Sequence, residues 1–135
     1  MSLTHPDLAT ILVLDDDVTV LAVTAKMLER AGFRVLRASA ANVVLALCRA
    51  HREPIHLALL DLVMPLLTVS ELRQCLLNEF PGILVMYMSG FPYEEVASRG
   101  ISAKITDFIQ KPFTFTTLVD RLTTALARRD VPVLA

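Results

Sequence analysis

The chain has 135 residues, the size of one ordinary domain with room for a real core and none for a second. Lys and Arg number 13 against 14 Asp and Glu, a formal charge of −1 with no basic stripe, which disfavours direct binding to a nucleic-acid backbone. No stretch approaches the about 18 uninterrupted apolar residues of a membrane span, and the N-terminus lacks a basic region followed by an apolar run. A soluble cytoplasmic protein without membrane association is therefore expected, with Cys48 and Cys75 as buried reduced thiols, since neither sits in a CxxC or His-spaced motif.

Apolar runs of strand length recur at Ile11–Leu14, Phe33–Leu36, His56–Leu60, Ile83–Met88 and Ile105–Ile109, separated by segments with helical spacing. After the first run, Asp17 stands where the N-cap of a helix starting near Val18 is expected. In that helix Leu21, Ala25 and Leu28 fall at i, i+4 and i+7, and Gly32 ends it. Ser39 can cap the second helix. In the last helix Leu118, Leu122, Ala125 and Leu126 form a similar stripe. Strands with few polar positions, alternating with amphipathic helices, predict a parallel sheet covered on both faces. Such a sheet places its working site at the carboxyl ends of the strands. The residues that should meet there are Asp15 to Asp17 after the first strand, Asp61 after the third, Ser89 after the fourth and Lys111 after the fifth.

Those residue types together suit phosphoryl transfer. A carboxylate can accept a phosphoryl group as a nucleophile, neighbouring carboxylates can hold a divalent ion, and a lysine and a hydroxyl can contact the remaining oxygens. Singly, each has an ordinary explanation as a cap, a turn former or a surface charge. Their joint arrival at four strand ends favours one site.

The segments "ILVLDDD", "LALLDLVMP", "ILVMYMSG" and "ITDFIQKPF", in this order and spacing, resemble the receiver domains of two-component response regulators over nearly all of Ile11 to Arg128. The resemblance implies a flavodoxin-like (βα)5 doubly wound α/β fold with strand order 2-1-3-4-5. It places a receiver domain at residues 10–129, with tails at 1–9 and 130–135. It implies that Asp61 is the phosphoacceptor and that Asp15, Asp16 and Asp61 bind Mg²⁺ together with the backbone carbonyl of Val63. Ser89 takes the place of the hydroxyl residue that follows the phosphoryl group, Phe108 that of the aromatic switch, and Lys111 that of the invariant lysine, with Lys111–Pro112 commonly cis. The implied partners are a histidine kinase or histidine phosphotransfer protein as donor and an output partner on the face of the fourth helix, fifth strand and fifth helix, with homodimerisation left open. Such a domain is a phosphoacceptor that promotes its own phosphorylation and dephosphorylation rather than a conventional enzyme. Val63 and Phe91 would flank the path of the water that hydrolyses the phosphoryl group.

Two departures stand out. Receivers usually follow Met-Pro with a Gly-Met-Asp-Gly-like turn, whereas this chain has "LLTVSEL" from Leu66 to Leu72. Thr68 and Glu71 have capping-box spacing and Leu67 and Leu72 staple spacing, which predicts a third helix starting near Val69. Phe108 stands where Tyr is common, so any switching must be by ring burial. "MSGFP" is closer to receivers of hybrid histidine kinases, and a stand-alone receiver and a piece of a larger protein both remain open. Two competing readings are a receiver-like interaction module that is not phosphorylated, and a haloacid-dehalogenase-type phosphatase using Asp15 as nucleophile and Asp17 as acid/base in D-x-D-x-T. The latter leaves Asp61 unexplained.

Overall fold

The computed structural model describes residues 9–62, 66–100 and 104–130, the side chains of 66–68 and 129–130 excepted. Five strands alternate with five α-helices: β1 Thr10–Leu14, α1 Val18–Arg30, β2 Arg34–Ala38, α2 Ala41–Ala50, β3 Leu57–Asp61, α3 Leu66–Glu79, β4 Leu84–Ser89, α4 Tyr93–Ser98, β5 Phe108–Gln110 and α5 Phe115–Asp130. All pairings are parallel and the strand order is β2-β1-β3-β4-β5. The expected fold is therefore the observed one.

The central strands explain their own composition. β1 and β3 are buried along their whole length, so both faces must be apolar, and successive residues supply two separate cores. Leu12, Leu14, Ala58 and Leu60 face Val44 and Cys48 of α2, Val69, Leu72 and Leu76 of α3, and Val96 of α4. Ile11, Val13, Leu57 and Leu59 face Leu21 and Leu28 of α1 and Leu118, Leu122 and Ala125 of α5. Cys48 and Cys75 are free thiols, Cys48 buried and Cys75 half-buried. Burial, followed by the nearby Cys75 and Glu79, pushes the Cys48 thiol up to about 11, so it stays protonated and unreactive.

Helix α1 begins and ends as its sequence dictates. The Asp17 side chain accepts the N–H groups of Thr19 and Val20, and Gly32 takes φ 101°, the left-handed conformation that only glycine adopts without strain. Three boundaries differ from expectation. Ala40, not Ser39, is the N-cap of α2, without a side-chain hydrogen bond; Ser39 lies one residue too early to reach the free amides. Helix α3 starts at Leu66 rather than near Val69, so Thr68 lies inside the helix, where it cannot take the extended backbone that a cap requires. The staple partner Leu67 has its side chain outside the described residues. The fifth apolar run opens as a 3₁₀ turn, Ile105–Asp107, because only Phe108 to Gln110 find partners on β4.

Candidate functional site at the carboxyl ends of the strands

The parallel sheet carries Asp15, Asp61, Ser89 and Lys111 to one edge. Asp61 and Ser89 are the last residues of β3 and β4, Asp15 follows β1 directly, and Lys111 follows β5. Asp15, Asp61 and Ser89 are 0%, 0% and 1% exposed, at positions where a strand of apolar residues has just ended. Buried polar groups persist only with compensation. Asp15 has it: its Oδ1 accepts the Asp17 N–H at 2.9 Å, and its Oδ2 accepts from Lys111 Nζ at 2.7 Å. Lys111 Nζ also lies 3.2 Å from Asp61 Oδ1, which makes one ammonium serve two buried carboxylates.

Asp61 is the less compensated member: the Lys111 ammonium pairs with it, but among the described residues neither of its buried carboxylate oxygens accepts a well-formed hydrogen bond. Burial is the largest influence on its carboxyl and raises its pKa; Lys111 opposes this, Asp15 adds like-charge repulsion, and the result is about 6. Lys111 moves upward as well: burial works against its charge, but the hydrogen bond to Asp15 and the charge of Asp61 outweigh it. The lysine therefore stays an ammonium.

Asp16 completes the acidic group from the solvent side. One carboxylate oxygen from each of Asp15, Asp16 and Asp61 lies within 4.8 Å of the others, with Asp16 exposed and its two partners buried. Three hard oxygen donors, one of them from Asp61 itself, fit a divalent cation of the magnesium type. Val63, named from the sequence as a carbonyl ligand, lies outside the described residues. Asp17 faces away and is occupied in capping α1.

The remaining predicted residues form a second layer. Ser89 Oγ accepts the Phe91 N–H at 3.0 Å, and the Ser89 carbonyl accepts the Lys111 N–H at 2.7 Å, so β4 and the residue after β5 are joined beside the acids. Lys111–Pro112 is cis, as expected. Phe108 is 5% exposed and meets the Tyr93 ring edge-on, centroids 5.6 Å apart. Phe91 remains 48% exposed, with the Arg99 guanidinium 5.2 Å from its ring centroid. Tyr93 was not singled out in the sequence; its place directly after "SGFP", as the first residue of α4, was the available signal.

A shallow apolar groove was also missed. It has a volume of about 560 Å³ and runs along α1 past Val20, Val23 and Met27 to Pro112 and Phe113, with Gly90 and Lys111 at the end beside the acids. A Cβ on Gly90 would meet nothing within 4 Å, so that end is open. Val20, Val23 and Met27 fall at i, i+3 and i+7 on α1, beside the stripe read from the sequence, but the other wall comes from a loop some ninety residues away in sequence.

Residues 11–123 match the family model of the response regulator receiver domain. This chain belongs to that family. It is 29% identical over 120 residues to the response regulator GtcR of Aneurinibacillus migulanus, which covers 88% of this chain and 48% of that protein. The chain spans about half the length of the first curated relatives it matches. Among solved structures it is similar to a CheY-like receiver domain protein from Methanospirillum hungatei JF-1, at 27% identity and TM-score 0.74, covering 90% of this chain and 95% of that one. It is also similar to the receiver domain of the hybrid histidine kinase CckA, at 25% identity and TM-score 0.70, covering 87% of this chain and 99% of that one. Among the described residues no helix is long and apolar enough to cross a membrane.

Proposed function

We propose that this receiver domain accepts a phosphoryl group on Asp61 from a phosphohistidine of a kinase or phosphotransfer protein, with Mg²⁺ held by Asp15, Asp16, Asp61 and the Val63 carbonyl. The observation that carries the reading is the Asp61 carboxylate: buried, without a well-formed hydrogen bond among the described residues, and facing both a fixed ammonium and two further acids. An Asp61 oxygen attacks phosphorus as the bond to the histidine nitrogen breaks, and the leaving imidazole keeps the electron pair and takes up a proton. The divalent ion supplies charge neutralisation for the phosphoryl oxygens. Lys111, already placed 3.2 Å from Asp61, neutralises a further oxygen, and the Ser89 hydroxyl donates to another.

The groove between α1 and the residues after β5 supports a docking place for the donor, because it ends at Lys111 and Gly90 and offers apolar surface to an amphipathic helix. Once Asp61 carries the phosphoryl group, Ser89 turns toward it and Phe108 rearranges against Tyr93, biasing the α4-β5-α5 face toward an output partner. Residues 10–129 form the unit that does this, and its own side chains assist both gain and loss of the phosphoryl group. The test is exposure of the protein to acetyl phosphate with and without Mg²⁺, followed by intact-mass measurement. A Mg²⁺-dependent, acid-labile adduct of one phosphoryl group, absent from Asp61→Asn, is expected. An unmodified chain under conditions that phosphorylate another receiver would favour the interaction-module reading.

A further inference from the structure

Strand β5 is the edge of the sheet and only three residues long, yet it carries Phe108. Consecutive residues of this strand point to opposite faces: Phe108 packs in the core beneath α2, α3 and α4, and Ile109 in the core with α1 and α5. Among the described residues no strand pairs with the outer side of β5. Arg121 of α5 reaches round this open edge. Its Nη2 donates to the carbonyls of Ile105 at 3.2 Å and Thr106 at 3.1 Å, and also to that of Phe108. The Phe108 N–H in turn bonds back to the Ile105 carbonyl. One half-buried guanidinium thus fastens the 3₁₀ turn and the first residue of the strand to α5, between the buried anchors Leu118 and Leu122.

A charged donor holds carbonyl acceptors more strongly than a neutral one, and the planar guanidinium fixes the directions of the N–H groups that Nη2 presents. A ring can drive a neighbour only if its own backbone does not yield. A three-residue edge strand is the weakest place in the sheet to supply such a reference, because few ladder bonds hold it.

We propose that Arg121 is a positioning residue for the switch: it locks the backbone of Ile105–Phe108 to α5, so that rearrangement of the Phe108 ring is delivered to Tyr93 and α4 instead of being absorbed by movement of the strand. This rests on the reading of Ser89 and Phe108 as a phosphorylation-linked pair. Arg121 touches none of the reacting groups, so it changes transmission and not chemistry.

The test is hydrogen exchange by mass spectrometry, with and without Mg²⁺ and beryllofluoride as a stable mimic of the phosphoryl group, on the wild-type chain, Arg121→Met and Arg121→Lys. Methionine keeps an apolar stem over the same surface while removing every donor. In the wild type, exchange should change severalfold over residues 90–100 on adding the mimic, while residues 104–112 stay protected. In Arg121→Met the change over 90–100 should fall to less than half, exchange over 104–112 should rise severalfold in the presence of the mimic, and the rate of phosphorylation by acetyl phosphate should stay within twofold of wild type. Arg121→Lys, which keeps charge without the fork, should give an intermediate response and decides the matter if the methionine variant does not fold. A purely structural clamp predicts something different: faster exchange over 104–112 to the same extent with and without the mimic, and a wild-type response over 90–100. That result, or a full response in Arg121→Lys when the methionine variant is unfolded, overturns the proposal. A wild-type chain that binds the mimic without any response in either segment overturns the switch reading itself, and the proposal with it.

Discussion

Replacing Asp61 by asparagine should stabilise the metal-free protein at neutral pH and should cease to do so in acid. The carboxyl is fully buried, and its pKa rises from an ordinary 3.8 to about 6, with burial as the main cause. A group whose pKa is raised on folding favours the folded state while it is protonated. Its contribution is complete below about pH 4, is lost as pH rises to about 6, and stays lost above that. At about 1.4 kcal/mol for each tenfold change in proton affinity, the rise corresponds to about 3 kcal/mol. Asparagine has nearly the same shape and does not titrate, and Lys111 keeps its 2.7 Å bond to Asp15 in the variant. Part of this is already lost at pH 4, so the stability difference, variant minus wild type, should grow by about 2.4 kcal/mol between pH 4 and pH 7, in favour of asparagine. Urea unfolding followed by circular dichroism, in buffers containing a chelator, measures it at each pH. A difference that is flat over this range, or a wild type that gains on the variant as pH rises, would refute the reasoning that Asp61 is held against its charge.

Asp16 behaves differently because it is exposed. Asp16→Asn should weaken Mg²⁺ binding about tenfold, the loss of about 1.4 kcal/mol, while leaving metal-free stability within about 0.5 kcal/mol, since water already screens its charge; titration calorimetry with parallel urea melts reads both. Asp15 and Asp61 are buried, so the repulsion among the three acids is strongest between those two. Asp17→Ala removes the cap of α1 and should cost about 1 kcal/mol of stability while most acetyl-phosphate labelling survives. Phe91→Glu should shorten the lifetime of the phosphorylated state severalfold at unaltered Mg²⁺ affinity, because a polar side chain there can orient water that phenylalanine cannot; a radiolabel chase gives the rate, and an unchanged or slower rate counts against it. Val63→Asn should act in the same direction.

Much of this arrangement was readable before folding because the physics is local. The buried runs "ILVL" and "LALL" have no polar face, which suits a parallel sheet covered on both sides, and acids at the ends of several such runs point to the edge where the strands finish. The cap at Asp17 and the stop at Gly32 followed from single-residue preferences. The misses share another character. Asp15 and Asp16 are adjacent and identical in type, yet one is buried and one exposed, because Asp15, just past β1, is still tied to the sheet through its N–H to the Ala38 carbonyl. The end of the fifth apolar run was set by how much of β4 remained to pair with it, and the groove and the Arg121 contacts join residues from different elements. No periodicity within one segment records such meetings.

The central claim is that the opening acids serve Asp61. The most direct test is to treat the wild type, Asp61→Asn and Asp15→Asn with acetyl phosphate and Mg²⁺, then map the modified residue by fragmentation of the phosphorylated peptide. The phosphoryl group should lie on Asp61 in the wild type, be absent from Asp61→Asn, and form on Asp61 at a reduced rate in Asp15→Asn. A phosphoryl group found on Asp15, persisting in Asp61→Asn and lost from Asp15→Asn, would contradict the account.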